Sequence, residues 1–415
     1  MNNCVIYSMF LVAVVSFPTI AMDKINDEVS LRKAIMAANT DENISQIDFQ
    51  KEAKIQLTSP IIYTGQQALL IEGNNAEING EKAGKSEGFY DDVEKITTVR
   101  TQDGSLMFNT AANISINNLS VVKSHTRGIV ITIPVEAKGD DAILSLNNVS
   151  VLDSRLYGLH IDDNSSELDD GDIGADIGVH LQISHSQFIN NGTGAIDFDG
   201  IRVDERGNGD ITADIVDTQI SHNGGDGIEL DEGGSGDVKA SMINVVLDEN
   251  GFYNETDLDD AFDIDEAGAG ELDVKLINVT LTSNKDQGLD FDEEGAGDAN
   301  VLLYNVNATN TLKEAIKIDE EDAGSIHANL FKVNVKKGSD DGIQLTELGE
   351  GKIQALLSDV QATDNKKYGM NIQQWVVEDE KQQIELLGLV KLQNVVLSDN
   401  KKDDEIKNHA IIFEH

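Results

Sequence analysis

Short groups of alternating apolar and polar residues recur along most of the chain. In the stretch that opens at Gly288, the apolar members of three such groups are Leu289 and Phe291, then Ala299, Val301 and Leu303, then Val306 and Ala308. The same offsets are apolar in five other stretches, with Thr218 as the one exception. Alternation with a period of two is typical of a β-strand that buries one face. Each stretch is therefore predicted to form three short strands.

The stretches recur at a nearly constant spacing. Their opening residues are small: Gly200, Gly227, Ala261, Gly288, Ala315 and Gly342. Four of the five intervals are equal, at about 27 residues, and the interval from Gly227 to Ala261 is longer because it contains an insertion near 253–259. One stretch cannot bury its own apolar face. Successive stretches are therefore predicted to stack as coils of a solenoid that share a continuous interior.

Asparagine recurs at two turn positions of the repeat. The later position, shortly before the next opening residue, holds Asn223, Asn250, Asn284 and Asn365. The earlier position holds Asn244, Asn278 and Asn305, with Asp217 and Asp359 in register. Asparagine tolerates a positive φ, and its amide can bond to the turn of the next coil. We expect two asparagine ladders with a structural role.

The amino-terminal region has a different pattern. In VSLRKAIMAAN (residues 29–39), apolar residues fall at helical spacing, at Leu31, Ala34, Ile35 and Ala38. We expect a short amphipathic helix that covers the open end of the solenoid, where strand edges would otherwise be unpaired. Before it, the apolar run CVIYSMFLVAVVSF and a small residue at Ala21 predict a signal peptide at residues 1–21, cleaved after Ala21, although no Lys or Arg precedes the run.

Over roughly residues 60–415 the chain resembles the right-handed parallel β-helix proteins. Residues 29–39, followed by QIDF, KIQLTSPI and LLIEGNNAEING, resemble the CSLREA-type segment that opens many exported bacterial β-helix proteins, with Val29 in place of the cysteine. The resemblance and the crossover rule for parallel strands imply a right-handed coil. The expected fold is an all-β, right-handed parallel β-helix of about ten or more coils, with three strands per coil and a short capping helix.

Three parts are expected along the chain: the signal peptide at residues 1–21, the cap at 22–60 and the β-helix at 61–415, with 370–415 forming irregular C-terminal coils or a cap. The formal net charge is −44, which disfavours nucleic acids and anionic membranes as partners. The single cysteine, Cys4, lies inside the predicted signal peptide, so the mature chain would contain no disulfide and no cysteine metal ligand. We expect a secreted or periplasmic protein, with no membrane association after cleavage.

Acidic residues repeat in register on the first strand of each coil. In GLDFDEEGAGD (residues 288–298), Leu289 and Phe291 are expected to point inward, and Asp290 and Asp292 outward. Carboxylates stacked about 4.8 Å apart repel by roughly 3.5 kcal/mol per pair at an effective dielectric of 20. Splaying of the side chains into solvent, raised pKa values or bound cations would each relieve this repulsion, and oxygen ligands without cysteine suit Ca²⁺. The predicted ligands are Asp204, Glu205, Asp231, Glu232, Asp265, Glu266, Asp292, Glu293, Asp319 and Glu320. A simply solvated acidic surface is the alternative.

A carbohydrate-active enzyme is a second interpretation. Many β-helix proteins that the chain resembles are polysaccharide lyases or glycoside hydrolases, with the active groove on the outer face of the first strand. The candidate catalytic residues on this face are Asp340, Asp341, Lys317, Arg202 and His160. A surface ion pair is the alternative role for the three basic residues, since each lies in an acidic field.

The function that this pattern favours is a structural, adhesive or ligand-binding role at the cell exterior, with Ca²⁺ bound along the carboxylates. The expected partner is a polysaccharide or another cell-surface component. The oligomeric state does not follow from the sequence.

Overall fold

The computed structural model describes residues 24–83, 104–163, 173–194, 196–253, 258–375 and 387–415. The predicted signal peptide at residues 1–21 lies outside the described residues. One α-helix, α1 (Glu28–Ala38), precedes a long succession of short strands.

The strands before the regular repeat are β1 (Gln46–Asp48), β2 (Lys54–Gln56), β3 (Ile61–Tyr63), β4 (Leu69–Asn79), β5 (Gly104–Asn109), β6 (Ile114–Val122), β7 (Arg127–Thr132), β8 (Ala142–Leu152), β9 (Leu159–Asp162), β10 (Val179–Ser184) and β11 (Gln187–Ile189). Those of the regular repeat are β12 (Ile201–Glu205), β13 (Ile211–Val216), β14 (Gln219–Ser221), β15 (Ile228–Glu232), β16 (Val238–Ile243), β17 (Val246–Asp248), β18 (Phe262–Gly268), β19 (Leu272–Ile277), β20 (Thr280–Thr282), β21 (Leu289–Gly295), β22 (Ala299–Tyr304), β23 (Asn307–Thr309), β24 (Ile316–Asp322), β25 (Ile326–Phe331), β26 (Asn334–Lys336), β27 (Ile343–Gly349), β28 (Gln354–Ser358) and β29 (Gln361–Thr363). The strands that follow are β30 (Met370–Trp375), β31 (Gly388–Gln393), β32 (Val396–Ser398), β33 (Lys407–His409) and β34 (Ile411–Glu414).

All of the paired strands run parallel, and they form two sheets. The first sheet takes one strand from each coil, and its 12 strands among the described residues run from β3 to β33. The second sheet, of 22 strands, takes the other two strands of each regular coil, such as β13 and β14. The chain is a right-handed parallel β-helix with three strands per coil, as the alternation and the resemblance predict.

The strand register follows the sequence period. Ile201 pairs with Ile228, its equivalent in the next stretch, and Ile228 pairs with Phe262 in the stretch after that. The second of these steps is the longer one in sequence, because it contains the insertion at 253–259. The regular period returns with the next step, in which Phe262 pairs with Leu289. The prediction that equivalent positions lie on top of each other is confirmed.

The core is a continuous column of apolar side chains inside the coils. Positions with the inward alternation, such as Leu289 and Phe291, are fully buried. The rings of Phe262 and Phe291 from neighbouring coils meet edge to face with centroids 5.3 Å apart. Burying such a side chain contributes about 1.5–3 kcal/mol, so this interior holds the two sheets together.

The helix α1 buries the four predicted apolar residues, Leu31, Ala34, Ile35 and Ala38. Asp27 caps its amino end, because the Asp27 carboxylate accepts a hydrogen bond from the backbone N–H of Ser30 at 2.7 Å. The helix lies against the first sheet, where Arg32 donates to the carbonyl of Pro60 at 2.9 Å. No helix within the described residues is long and apolar enough to cross a membrane.

Both asparagine ladders are present. In the buried ladder, the side-chain amide of Asn223 donates to Oδ1 of Asn250 at 2.9 Å, and that of Asn250 donates to Oδ1 of Asn284 at 3.1 Å. In the exposed ladder, Asn278 donates to Asn244 at 2.9 Å, and both residues have a positive φ. The amides replace water as hydrogen-bond partners, so the turns of successive coils are tied together.

Candidate functional site

The outer face of the first sheet carries acidic side chains that repeat from coil to coil. Strands β12, β15, β18, β21 and β24 lie side by side, so residues one coil apart form columns that run along the solenoid. Asp265 pairs with Asp292, and Asp292 pairs with Asp319, as the sequence period predicts. We call this column of outward carboxylates the aspartate column, with members Asp162, Asp204, Asp231, Asp265, Asp292 and Asp319.

Three cations form ion pairs with members of the aspartate column: Arg202 and Arg206 near its amino end, where Arg206 pairs with Asp231, and Lys317 near its carboxyl end. Arg202 donates to Asp204 at 2.7 Å and to Asp231 at 3.2 Å. At the other end, Lys317 Nζ lies 2.9 Å from Asp292 and 3.5 Å from Asp319. Asp265, between them, is in no ion pair among the described residues, and burial together with Asp292 raises the pKa of its carboxyl.

A second outward column holds both cations and acids, and we call it the mixed column. Its members, in coil order, are His160, Arg202, Glu229, Asp263, Asp290 and Lys317. Three acids therefore lie between two cations. Arg202 pairs with Glu229, and Lys317 pairs with Asp290 at 2.8 Å, so Asp263 in the middle has no cationic partner among the described residues.

The residues that precede each coil's opening position form a third set, the leading column: Asp199, Asp226, Asp260, Gln287, Glu314 and Asp341. Each of the first three carboxylates uses Oδ1 to accept a hydrogen bond from the backbone N–H of the next member. For Asp199 the acceptor distance is 2.7 Å. These bonds fix the carboxylates at the turn and leave the second oxygen of each for another ligand.

Leading and mixed columns converge. Three groups of carboxylates have oxygen atoms within 4.8 Å of one another: Asp197, Asp199 and Glu229; Asp226, Glu229 and Asp263; Asp260, Asp263 and Asp290. Neighbouring groups share a residue, so they form one line, which we call the acidic row. A fourth group, Glu314, Asp340 and Asp341, meets the same criterion in the leading column. None of the ten ligands named from the sequence belongs to these groups.

The acidic row is an electrostatically unfavourable place for free carboxylates. Burial, reinforced by neighbouring carboxylates, raises the pKa of Asp226, Asp260 and Asp263 well above the usual range. No Lys, Arg or His of the described residues lies within 4.0 Å of these three side chains. Protons or a cation must offset the charge. The oxygen-only donor set fits a hard divalent cation such as Ca²⁺.

The glutamates among the ten predicted ligands do not lie beside the aspartates. Glu205, Glu232, Glu266, Glu293 and Glu320 are buried on the inner side of the strand, with at most 1% of their surface exposed. We call these five and Glu347 the glutamate column. In each of the five, Oε1 accepts a hydrogen bond from a glycine N–H in the following turn, as from Gly297 to Glu293 at 2.9 Å. Both acids of each pair are named as ligands from the sequence, whereas the structure places them on opposite faces of the strand.

This difference has a simple cause in the alternation itself. Leu289 and Phe291 point inward, so the next inward position of the strand is Glu293. Extending the period-two pattern by one further inward position would have assigned the glutamates to the interior. The convergence of the leading and mixed columns has no comparable signal in the sequence, because it depends on how the chain turns before each strand.

Three of the candidate catalytic residues are held by charged neighbours, His160 through hydrogen bonds and Arg202 and Lys317 through ion pairs. His160 is fully buried, and its Nδ1 accepts from Arg127 at 2.7 Å, since a guanidinium can only donate. Its Nε2–H therefore donates to Asp204 at 2.8 Å. Although burial opposes its charge, Asp290, Asp292 and Asp319 raise the pKa of Lys317, which makes it a poor base at neutral pH. Arg202, which is buried, and Lys317 each form ion pairs with carboxylates of their own and neighbouring coils.

The adjacent candidates Asp340 and Asp341 are also engaged. Lys367 forms an ion pair with Asp340. Asp341 accepts from the backbone N–H of Tyr368 at 2.8 Å and from the side chain of Asn371 at 2.9 Å. Together with Glu314 they form the fourth group of convergent carboxylates. This arrangement suits a bound cation better than it suits a catalytic pair of free carboxyl groups.

Fold and site together define a parallel β-helix protein with a repeated acidic outer face. No protein-family model matches the sequence, and no curated protein matches it. Three solved structures illustrate what the fold is similar to. A periplasmic alginate epimerase, AlgG, has a TM-score of 0.34 at 11% identity, with 90% of this chain and 74% of that chain covered.

The mannuronan C-5 epimerase AlgE4 A-module of Azotobacter vinelandii has a TM-score of 0.36 at 12% identity, covering 94% of this chain and 96% of that one. A tailspike protein of an Escherichia coli O157:H7 bacteriophage has a TM-score of 0.35 at 9% identity, covering 92% of this chain and 44% of that one. At these scores and identities the assignment of the fold rests on the strand pairing, and nothing about activity is carried over from these proteins.

Proposed function

We propose that the protein is an exported β-helix protein that binds Ca²⁺ along the acidic row and has a structural or ligand-binding role at the cell exterior. The observation that supports this most directly is the convergence of three carboxylates within 4.8 Å at each of three successive coils. Asp226, Asp260 and Asp263, which form no ion pair with any described residue, lie at the middle of the row.

The electrostatics favour a divalent cation over simple solvation. Two carboxylates about 4.8 Å apart repel by roughly 3.5 kcal/mol at an effective dielectric of 20, and each group contains three. Asp226 and Asp260 are more than nine-tenths buried, so water screens them weakly. A Ca²⁺ ion takes six to eight oxygens at flexible geometry, and the remaining positions can be filled by water or by a ligand's oxygens.

The same ion would give a strongly acidic protein a way to hold an anionic partner. With a net charge of −44, the chain repels polyanions unless a cation lies between the two. A polysaccharide or another cell-surface component is the class of partner that we propose, bridged through the metal. Export is proposed from the apolar amino-terminal run.

Calcium titration of metal-free protein tests the cation site. We expect saturable heat of binding, and an increase in unfolding free energy of about 2.7 kcal/mol at a Ca²⁺ concentration one hundred times Kd. The Asp263→Asn variant removes a ligand from two groups at once and should weaken binding strongly. Asp273→Asn, which makes the same charge change on the second sheet, is the matched control. Equal unfolding midpoints in Ca²⁺ and in EDTA would indicate that the acidic row is a solvated surface that binds no cation.

No structural observation on the described residues gives the carbohydrate-active enzyme separate support. His160 is fully buried, and Arg202 and Lys317 are each held by two or more carboxylates. A screen against uronate and neutral polysaccharides checks this directly. New reducing ends or unsaturated products that disappear in Lys317→Ala or Asp341→Asn would favour the carbohydrate-active enzyme over the cation-binding protein.

A further inference from the structure

The glutamate column is a second acidic feature, separate from the acidic row. Strand pairing places Glu232 beside Glu266, Glu266 beside Glu293, and Glu293 beside Glu320. Glu205 and Glu347 extend the column at its two ends. All six side chains are sealed from solvent, with at most 1% exposed, at the turn between the first and second sheets.

In five of the six glutamates the two carboxyl oxygens are in different situations, whereas neither oxygen of Glu347 has a hydrogen-bond partner among the described residues. Oε1 accepts from a glycine N–H in the following turn, at 2.6–3.1 Å in the coils of Glu205, Glu232, Glu266, Glu293 and Glu320. Oε2 of the same five residues is buried and receives no hydrogen bond from the described residues. Because a buried carboxylate oxygen without a donor loses its hydration and gains nothing in return, this oxygen requires a bound species.

The charged groups around the column offer no compensation. Those that act on it electrostatically are acidic: Asp163 on Glu205, Asp237 on Glu266, and Asp298 and Asp322 on Glu320. Each inner glutamate also faces the glutamates of the coils on either side, and the end members Glu205 and Glu347 each face one. Among the described residues, no Lys, Arg or His side chain lies within 4.0 Å of any member.

A metal ion does not fit the column as well as it fits the acidic row. Carboxylates from at least three residues converge at four places in the described residues, and none of these places includes a member of the column. At about 4.8 Å between coils, only two successive carboxyl groups can meet at one point. With the chain sealed around them, water cannot complete the coordination shell of a divalent cation.

A proton on the carboxyl group removes its charge and turns the unpartnered oxygen into a hydrogen-bond donor. A protonated carboxyl group accepts through one oxygen and donates through the other. The buried asparagines are bonded in this way, since Asn223 accepts a backbone N–H through Oδ1 and donates to Asn250 through Nδ2. At the carboxyl end the column continues as Gln374, the amide counterpart of a protonated glutamate. Gln374 Oε1 accepts from the backbone N–H of Ile353 at 3.1 Å, as an amide that carries a permanent donor can.

We propose that the glutamate column is a ladder of protonated carboxyl groups in the folded protein, each donating from Oε2 toward the carboxyl group of the neighbouring coil. The ladder is the acid counterpart of the asparagine ladder, and it makes the stability of the solenoid depend on pH. It is independent of the cation proposed for the acidic row, since the two features lie on opposite sides of the strands.

The titration behaviour agrees with this arrangement. Burial, with the neighbouring acids, raises the pKa of Glu293 to about 9 and that of Glu347 to about 8. For Glu232 and Glu320 burial raises the pKa to about 7. A folded-state pKa above the unfolded value of 4.5 means that protonation stabilises the folded state. This stabilisation is fully present below about pH 4.5 and is lost as the pH rises through about 7–9.

The test compares two triple variants in EDTA, so that metal ions do not contribute. Glu266→Gln/Glu293→Gln/Glu320→Gln replaces three members by the neutral amide. Glu271→Gln/Glu294→Gln/Glu350→Gln makes the same chemical substitution at three exposed positions, at or just after the ends of strands of the first sheet, and is the matched control. The unfolding free energy is measured from pH 5 to 9.5 for both variants and the wild type, together with the infrared carbonyl band of protonated carboxyl groups at pH 7.

The wild type and the control should lose stability as the pH rises from 6 to 9.5, while the column variant should be the most stable of the three at pH 9.5. Unfolding of the wild type at pH 7 should release protons, and the protonated-carboxyl band should weaken in the column variant and keep its wild-type intensity in the control. Two results would contradict the proposed ladder: a wild type without the protonated-carboxyl band at pH 7, or a column variant whose unfolding free energy depends on pH as that of the control does. So would a stoichiometric metal that the column variant alone fails to retain.

Discussion

The acidic row and the glutamate column carry the same chemical group on opposite sides of the same strands, and their surroundings are different. In the row, three carboxylates converge within 4.8 Å at each coil, and Asp263 is half-buried, so a cation can enter. In the column, carboxyl groups meet only in pairs, and five of the six have one oxygen already bonded to a glycine N–H. The number of carboxylates that meet at a point, together with access to water, decides which positive species can offset the charge.

The comparison implies opposite responses to pH. Protons stabilise the inner column, so the fold is expected to weaken as the pH rises. Protons compete with a cation for the outer row, so Ca²⁺ affinity is expected to increase as the pH rises. A protein that holds both features would gain its metal in the pH range where its interior begins to lose protons. The four predictions below test this contrast.

The largest effect is expected from Lys317→Met, at the end of the row. Lys317 Nζ lies 2.8 Å from Asp290 and 2.9 Å from Asp292, and its removal leaves those carboxylates without this partner. We expect a loss of about 3 kcal/mol in the unfolding free energy in EDTA, measured by urea denaturation. Added Ca²⁺ should recover part of the loss, since the freed carboxylates become ligands. Lys275→Met, at an exposed position, is the control, and equal losses with and without Ca²⁺ would contradict the expectation.

A somewhat smaller effect is expected from Gly297→Ala, which disturbs only the column. A Cβ at this position would lie 1.5 Å from the carbonyl oxygen of Gly270 and 2.7 Å from Oε1 of Glu293. The turn must shift and the hydrogen bond from Gly297 to Glu293 is lost, at a cost of about 2 kcal/mol. Thermal unfolding with and without Ca²⁺ measures it. Ca²⁺ affinity should be unchanged, and the exposed neighbour Ala296→Ser should leave stability as it is.

The pH dependence of Ca²⁺ binding is the third test. Burial, ahead of the charge of Asp292, raises the pKa of Asp290 to about 7. Below that value protons occupy the ligand, so affinity should be at least about tenfold lower at pH 6 than at pH 8, equivalent to about 1.4 kcal/mol. Calorimetric titration at the two pH values measures it. An affinity that does not change would mean that the row binds metal through other groups or not at all.

The smallest effect is expected from Gln374→Glu, which lengthens the column by one acid. Below pH 6 the new carboxyl group should be protonated and close to neutral for stability. At pH 9 the variant should be less stable than the wild type by about 1 kcal/mol, since one unit of pKa shift corresponds to about 1.4 kcal/mol. The neighbouring change Gln373→Glu, on the outer side of the strand, should show no such dependence. Parallel profiles for the two variants would argue against the ladder.

The contrast between row and column also shows where sequence reasoning was sufficient. The constant period predicted the stacking of Asp265, Asp292 and Asp319, because a solenoid repeats its geometry at every coil. Helical spacing identified the four buried residues of α1. The turn asparagines identified both ladders. Each of these inferences needed only local periodicity.

The acidic positions needed more than periodicity. The sequence placed Asp292 and Glu293 side by side as ligands, whereas the strand turns them to opposite faces. The approach of Asp260 to Asp263 and Asp290 depends on the path of the chain before the strand, and no spacing rule describes that path. The ion pairs of Arg202 and Lys317 likewise depend on which outward side chains reach across neighbouring coils.

The coil, its period, its capping helix and the sign of its surface charge could be predicted from the order of residues, because these follow from which residues recur and how often. Which carboxylates meet one another, which are sealed from water and which have a cation within reach becomes visible only in the folded chain. The physical reason is that charge compensation acts over a few ångströms between side chains of different coils, and that distance is set by turns and rotamers that a repeat pattern does not encode.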